Sequence, residues 1–252
     1  MNRANQREIL FEHGNEKRPS MNPIVEFVVY TSLAGAAIPI GGFLASIERI
    51  HPEWLEAEFR HTVIAFGGGA LISAVALVLI PDSIETIATW ETITAFAAGS
   101  VTFWGLQTAL DRSESSMSQL IAMLSDFIPE VIALGATIAT GEGGVMLLAG
   151  LIALQNVPEG FNSFRELNEG GMGKSTVLGR FVGTALLGPV LGAVGFWVLS
   201  DSPRTLGWMQ VFAASGILYL VFEDVAPQAK LKHASFPALG AVAGFLIGLI
   251  GK

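Results

Sequence analysis

Asp126-Phe127-Ile128-Pro129-Glu130 and Gln155-Asn156-Val157-Pro158-Glu159-Gly160 are near-copies of one motif, set 29 residues apart inside otherwise apolar stretches. Each places a carboxylate directly after a proline. A proline within a helix leaves a carbonyl without its amide partner, and a carboxylate buried without a partner is very costly. Finding both features twice, in adjacent apolar segments, points to a cation held between two kinked membrane helices. Asp126 and Glu130 stand four apart and share a helix face, as do Gln155 and Glu159. A connection of about two residues at Gly141-Glu142 makes these helices antiparallel neighbours, with both motifs in mid-span. Three carboxylates so placed repel one another and take up protons unless a cation neutralises them. Carboxylate, amide and freed carbonyl oxygens are the ligands a divalent ion takes. The bland alternative is a pair of structural kinks with protonated glutamates.

The rest of the chain agrees with a membrane setting. Of its 252 residues 51% are hydrophobic and only 14% charged, whereas a soluble domain carries about a quarter charged. The absence of cysteine excludes a disulfide framework, a thiolate metal site and a cysteine nucleophile. A net charge of −8 gives no support for a nucleic-acid partner. Eight spans, each near the ~20 residues that cross a bilayer, are predicted at 23–46, 62–83, 91–110, 117–140, 143–165, 176–200, 207–229 and 234–251. The fold class expected is an all-α membrane protein. Residues 1–22 read as a polar tail with no removable signal peptide, and 23–252 as one transmembrane domain embedded in lipid.

Lysine and arginine counting sets the orientation. Eight such residues (Arg49, Arg60, Arg112, Arg165, Lys174, Arg180, Lys230 and Lys232) fall opposite the termini, against two on the terminal side, or six with the tail. Non-cytoplasmic termini, in a plasma or inner membrane, are the expectation. Span two (Gly69 to Pro81-Asp82) and span seven (Ser215 to Pro227-Gln228) share a small residue twelve positions before a proline that a polar residue follows. With three spans on each side of a central pair, this predicts a 3+2+3 inverted repeat, a recurrent transporter plan with substrate near the midplane. Glu223, in span seven, is read as a carboxylate on the ion's route. Asp82 and Asp224 are read as interfacial, the latter snorkelling or paired with Lys230. Trp90, Trp104, Trp197 and Trp208 sit near span ends, as belt residues do.

The paired motifs resemble those of the ZIP family of divalent-metal transporters, whose fourth span bears His-Asn-x-Pro-Glu-Gly and whose fifth bears a related Gln/His-Asn/Asp-x-Pro-Glu/His. Gln155 to Gly160 fits the fifth-span pattern closely; Asp126 to Glu130 fits the fourth with departures. Gly67 to Ser73 with Pro81, and Gly216 to Tyr219, are supporting matches, so that the resemblance covers roughly 24–251. It implies eight spans, a metal centre between spans four and five, and Glu130, Gln155 and Glu159 at ligand positions. Asp126 stands where the family usually has histidine. Asn156 keeps a position serving a second metal, but Phe127 replaces asparagine there, and Gly188 stands where two-metal relatives have glutamate. One metal rather than two is therefore expected. The resemblance further implies a homodimer, and spans one, four, five and six moving as a unit against two, three, seven and eight.

The function expected is transport of a divalent cation of the Zn²⁺, Fe²⁺ or Mn²⁺ class by alternating access, with no resident cofactor and no enzymatic role. None of the four histidines (His13, His51, His61, His233) falls in a predicted span, and an all-oxygen site shifts preference from zinc toward harder ions. No ATP-binding loop is visible, so transport runs down the metal gradient or couples to protons, with Glu130 and Glu159 able to exchange a proton for the ion. An intramembrane hydrolase is disfavoured, because the in-span hydroxyls have no histidine nearby. The alternative retained is a metal-sensing membrane protein of the same fold with little flux.

Overall fold

The computed structural model describes residues 22–48, 53–112, 117–141, 144–199, 201–228 and 236–251. The expected tail, His51, Lys230 and His233 lie outside them. The described chain forms eight helical rods. They are α1 (Pro23–Ile47), α2 (Glu53–Ala74, a π-helical turn at Val75–Leu79, then Ile80–Ile84), α3 (Thr89–Asp111) and α4 (Met117–Thr140). There follow α5 (Val145–Glu169), α6 (Lys174–Val194 with a π-helical turn at Gly195–Leu199), α7 (Pro203–Leu220, a π-helical turn at Val221–Val225, then Ala226–Gln228) and α8 (Phe236–Gly251).

Each boundary has a local cause. Asn22 accepts the amide of Ile24 at 2.9 Å, and Pro23, with no amide to satisfy, opens α1. Gly141 and Gly144 take φ of +68° and +92° in the α4–α5 connection, a region that side chains avoid. The π-helical turns in α2 and α7 each end two residues before a proline, Pro81 and Pro227. A proline ring clashes with the carbonyl four residues back, and a widened turn moves that carbonyl aside. Against the predicted spans, α2 is the element that differs, beginning nine residues early. The polar run before Thr62 reads as a connection, yet it continues the helix and takes His61 into it.

Five of the rods are long and apolar enough to cross a membrane, and Phe236–Gly251 is a shorter apolar helix. The chain is an all-α, multi-pass membrane protein. α5 falls short of that apolar standard because it carries Gln155, Asn156, Glu159, Asn162, Arg165 and Glu166. The helix weakest as a membrane span is thus the one that bears the second motif.

Two four-helix bodies emerge from the packing. In the first, α1 packs on α5 and α6, and α4 packs on α6; in the second, α2 packs on α8 and α7, and α3 on α7. Within each body, helices approach so closely that a Cβ would overlap the opposing backbone: Gly41 lies on Val157, Gly160 on Ile38 and Gly135 on Gly192 in the first, Gly69 on Ala241, Gly244 on Phe66 and Gly99 on Phe212 in the second. The bodies meet where α2 faces α5 and α4 faces α7. Phe127, Phe181 and Leu134, all fully buried, are among the large side chains of the core, most of which lies within the first body.

Candidate metal centre

A cavity of about 110 Å³ lies at the seam between the bodies. α4 contributes Asp126, α5 contributes Gln155, Pro158, Glu159, Asn162 and Ser163, and α7 contributes Asp224; Gly67 and Gly68 of α2 and Gln107 of α3 close the other walls. The i, i+4, i+7 spacing of Gln155, Glu159 and Asn162 puts them on one stripe of α5, and that stripe is the one turned to the seam.

Two oxygens at this cavity's walls are orphans. Asp126 Oδ1 and Glu159 Oε2 are buried without any hydrogen-bond partner. A buried carboxylate oxygen left unpaired is rare and calls for an explanation such as an ion. Gln155 is almost fully buried, and its amide nitrogen donates to Glu130 Oε2 at 2.8 Å and to Asn156 Oδ1 at 2.6 Å. With both amide hydrogens so used, the carbonyl oxygen is what Gln155 has left to offer a cation. Glu130, also buried, is thereby fixed beside the cavity and does not line it. Asn156 faces away from the cavity altogether. Its side-chain nitrogen donates to the Ala34 carbonyl at 2.8 Å, tying α5 to α1.

The acidic groups are not drawn into a closed cage: among the described residues no three histidine, aspartate or glutamate side chains cluster as a metal-holding group. The cavity lining offers carboxylate, amide and hydroxyl oxygens and no imidazole, as hard divalent ions prefer.

Of the residues singled out in the sequence, Asp126, Gln155 and Glu159 meet at the cavity, and Glu130 and Asn156 stand behind Gln155. Glu223 does not join them. It lies in a separate shallow groove with Phe96, Ser100, Tyr219 and Phe222, and its neighbour Asp224 takes the place at the cavity instead. Asp224 and Gln107 were not anticipated. Leu220 and Asp224 line the cavity four residues apart, whereas Tyr219 and Glu223 share the outer groove. Asp82 is half-buried in the last turn of α2 and does not line the cavity. Past the apolar stretch of α5, burial and then repulsion from Asp224 push the Glu166 carboxyl above its ordinary range, against a hydrogen bond from Asn162 (2.7 Å) and the charge of Arg60.

At the ends of the bundle, ion pairs join helices of the same body. Arg165 of α5 meets Glu48, beyond α1, at 3.0 Å. Glu91 of α3 accepts from Arg204 Nε at 2.7 Å and Trp208 Nε1 at 2.9 Å, both on α7, and from the Ala88 amide at 3.0 Å.

No protein-family model matches the chain. Among curated proteins it is similar to the zinc transporter SLC39A7 of Canis lupus familiaris, 28% identical over 153 residues, which is 57% of this chain and 32% of that protein. The SLC39A7 zinc transporter of Homo sapiens is 29% identical over 150 residues, 56% of this chain and 32% of that protein. The aligned part of the chain thus spans about a third of the length of the curated relatives it matches. These matches bear out the resemblance to the ZIP family read from the two proline-glutamate motifs.

Proposed function

We propose that this protein carries a divalent metal ion across a membrane, holding it between α4 and α5 at the seam of the two bodies. The observation that carries the reading is the pair of orphaned, buried oxygens of Asp126 and Glu159, one from each motif, at one cavity. A divalent cation supplies the missing partner for both. The similarity to zinc transporters supports a transition-metal substrate, and the all-oxygen donor set favours Mn²⁺ or Fe²⁺ more than a histidine-bearing site does.

A single ion is proposed. The ring of Phe127, fully buried, lies 3.4 Å from where a Cβ on Gly188 would stand. The space between α4 and α6 is thus filled by an aromatic ring, and Asn156 is committed to α1. Neither Phe127 nor Gly188 carries a side-chain oxygen for a second metal.

Alternating access is proposed to come from the first body sliding against the second, with the cavity residues of α4 and α5 carried along. Glycine-on-backbone contacts within each body and side-chain contacts across the seam support this. An inverted repeat is supported by the packing pairs. Exchanging α1 with α6, α2 with α7, α3 with α8 and α4 with α5 turns α1–α5 into α6–α4, and α2–α8 into α7–α3, all of them observed contacts. Non-cytoplasmic termini and a homodimer complete the proposal.

Uptake by proteoliposomes tests it. Wild-type protein takes up Mn²⁺, Fe²⁺ or Zn²⁺ down a gradient, and Glu159→Ala lowers the rate by about 100-fold, the upper end of what loss of a group supporting a metal costs. Tight binding with no flux in the wild type would instead favour a sensor.

A further inference from the structure

Gly67 and Gly68 are consecutive on α2 yet face different bodies. A Cβ on Gly68 would meet Val225 Cγ1 at 2.5 Å, on α7 of its own body. A Cβ on Gly67 would stand 2.9 Å from Pro158 Cγ and 3.8 Å from the Gln155 carbonyl oxygen, on α5 across the seam. The Pro158 ring therefore sits in the hollow left by the missing side chain of Gly67, and both residues line the cavity. Another glycine in close contact across the seam, Gly251, meets the side chain of Leu147. Leucine turns aside by changing rotamer. A proline ring is fixed to its own backbone and cannot. Any slide of α5 along α2 must lift that ring out of the hollow, and the neighbouring Glu159 and Gln155 travel with it.

We propose that Gly67 and Pro158 form a notch and a ridge that hold the two bodies in the position seen, making Gly67 a positioning residue for the ion-carrying face of α5. The inference deepens the two-body reading above and rests on it. Metal ligands are untouched by the notch, so its depth sets how the chain divides its time between positions rather than how well the site binds. An added methyl at Gly67 disfavours the position seen, and a ring removed at Pro158 abolishes that effect.

The chain contains no cysteine, so one reporter can be introduced at Ala122, which is half-buried and lines the cavity on α4. The rate at which Ala122→Cys reacts with a water-soluble maleimide in detergent reads the exposure of the cavity without any metal. Gly67→Ala is expected to slow that reaction by about threefold or more, as a shifted population does. In a Pro158→Ala background the same change at Gly67 is expected to move the rate by less than about 1.5-fold, the mark of a direct pairwise contact. Gly248→Ala, which crowds only α2 of its own body and does not line the cavity, is expected to lower thermal stability and leave the reaction rate alone. An unchanged rate in Gly67→Ala overturns the proposal, as does a change that persists without the Pro158 ring or one that Gly248→Ala reproduces. If Gly67→Ala yields no folded protein, the double variant must, since the ring that collides with the methyl is gone; failure of both also overturns it. Because no ion is needed, a chain that carries no metal can still pass this test, and a chain that carries metal can fail it.

Discussion

Helices of the same body touch backbone to backbone, while helices of different bodies touch through side chains. Gly41 on Val157 and Gly160 on Ile38 leave no room for a methyl at either glycine of the α1–α5 contact, and Gly69 on Ala241 and Gly244 on Phe66 do the same for α2–α8. Across the seam the close glycine contacts are Gly67 with the Pro158 ring and Gly251 with the Leu147 side chain. The named hydrogen bonds between helices divide in the same way: Gln155 to Glu130, Asn156 to Ala34 and Arg165 to Glu48 lie in the first body, Arg204 to Glu91 and Ser83 to Gln210 in the second. Interiors packed like crystals do not deform continuously, and the sliding proposed above places the motion at the seam. That is where the cavity lies. On the proposed reading, a cation bound at this seam changes the balance of charge between the two bodies, as a carrier requires.

The contrast can be broken at its strongest point first. Gly160→Ala drives a methyl into the α1 backbone and is expected to cost about 3 kcal/mol, the upper end for overpacking, seen as a large fall in melting temperature in detergent. A fall no larger than that of an exposed substitution would show that the first body is not rigid. Next comes Arg165→Gln, which breaks a pair whose side chains are only 20% and 14% exposed; the expected loss is about 1–2 kcal/mol, as for a charged hydrogen bond removed from partial burial, measured by the same melts. Smallest is Gly251→Ala at the seam. Leu147 can turn away, so a change below about 1 kcal/mol is expected, within the ordinary range of tolerated apolar adjustments. If it proves as damaging as Gly160→Ala, the seam is packed as tightly as the bodies and the comparison collapses.

Much of this architecture was legible in the chain because charge inside an apolar run is conspicuous. Asp126, Gln155 and Glu159 stood out for that reason, and they do converge. The tight connection between α4 and α5 was readable from Gly141-Glu142. The start of α2 was not, since residues that look like a polar connection extend the helix beyond its apolar part. Which of Glu223 and Asp224 lines the cavity was not legible, on a different ground. Adjacent helical residues point about 100° apart, and the π-helical turn at Val221–Val225 interrupts the regular phase at this very position. Tertiary packing alone reveals that Gly67 and Gly68 serve different bodies, or that Phe127 fills the space beside Gly188; nothing local to either residue records its partner.

Counting bound Mn²⁺ by the loss of its free-ion electron paramagnetic resonance signal tests the centre most directly. Wild-type protein is expected to bind one ion per chain, and Asp126→Asn combined with Glu159→Gln, which keeps shape while removing charge, to bind none. Undiminished Mn²⁺ binding in that double variant, or none in the folded wild type, would contradict the account.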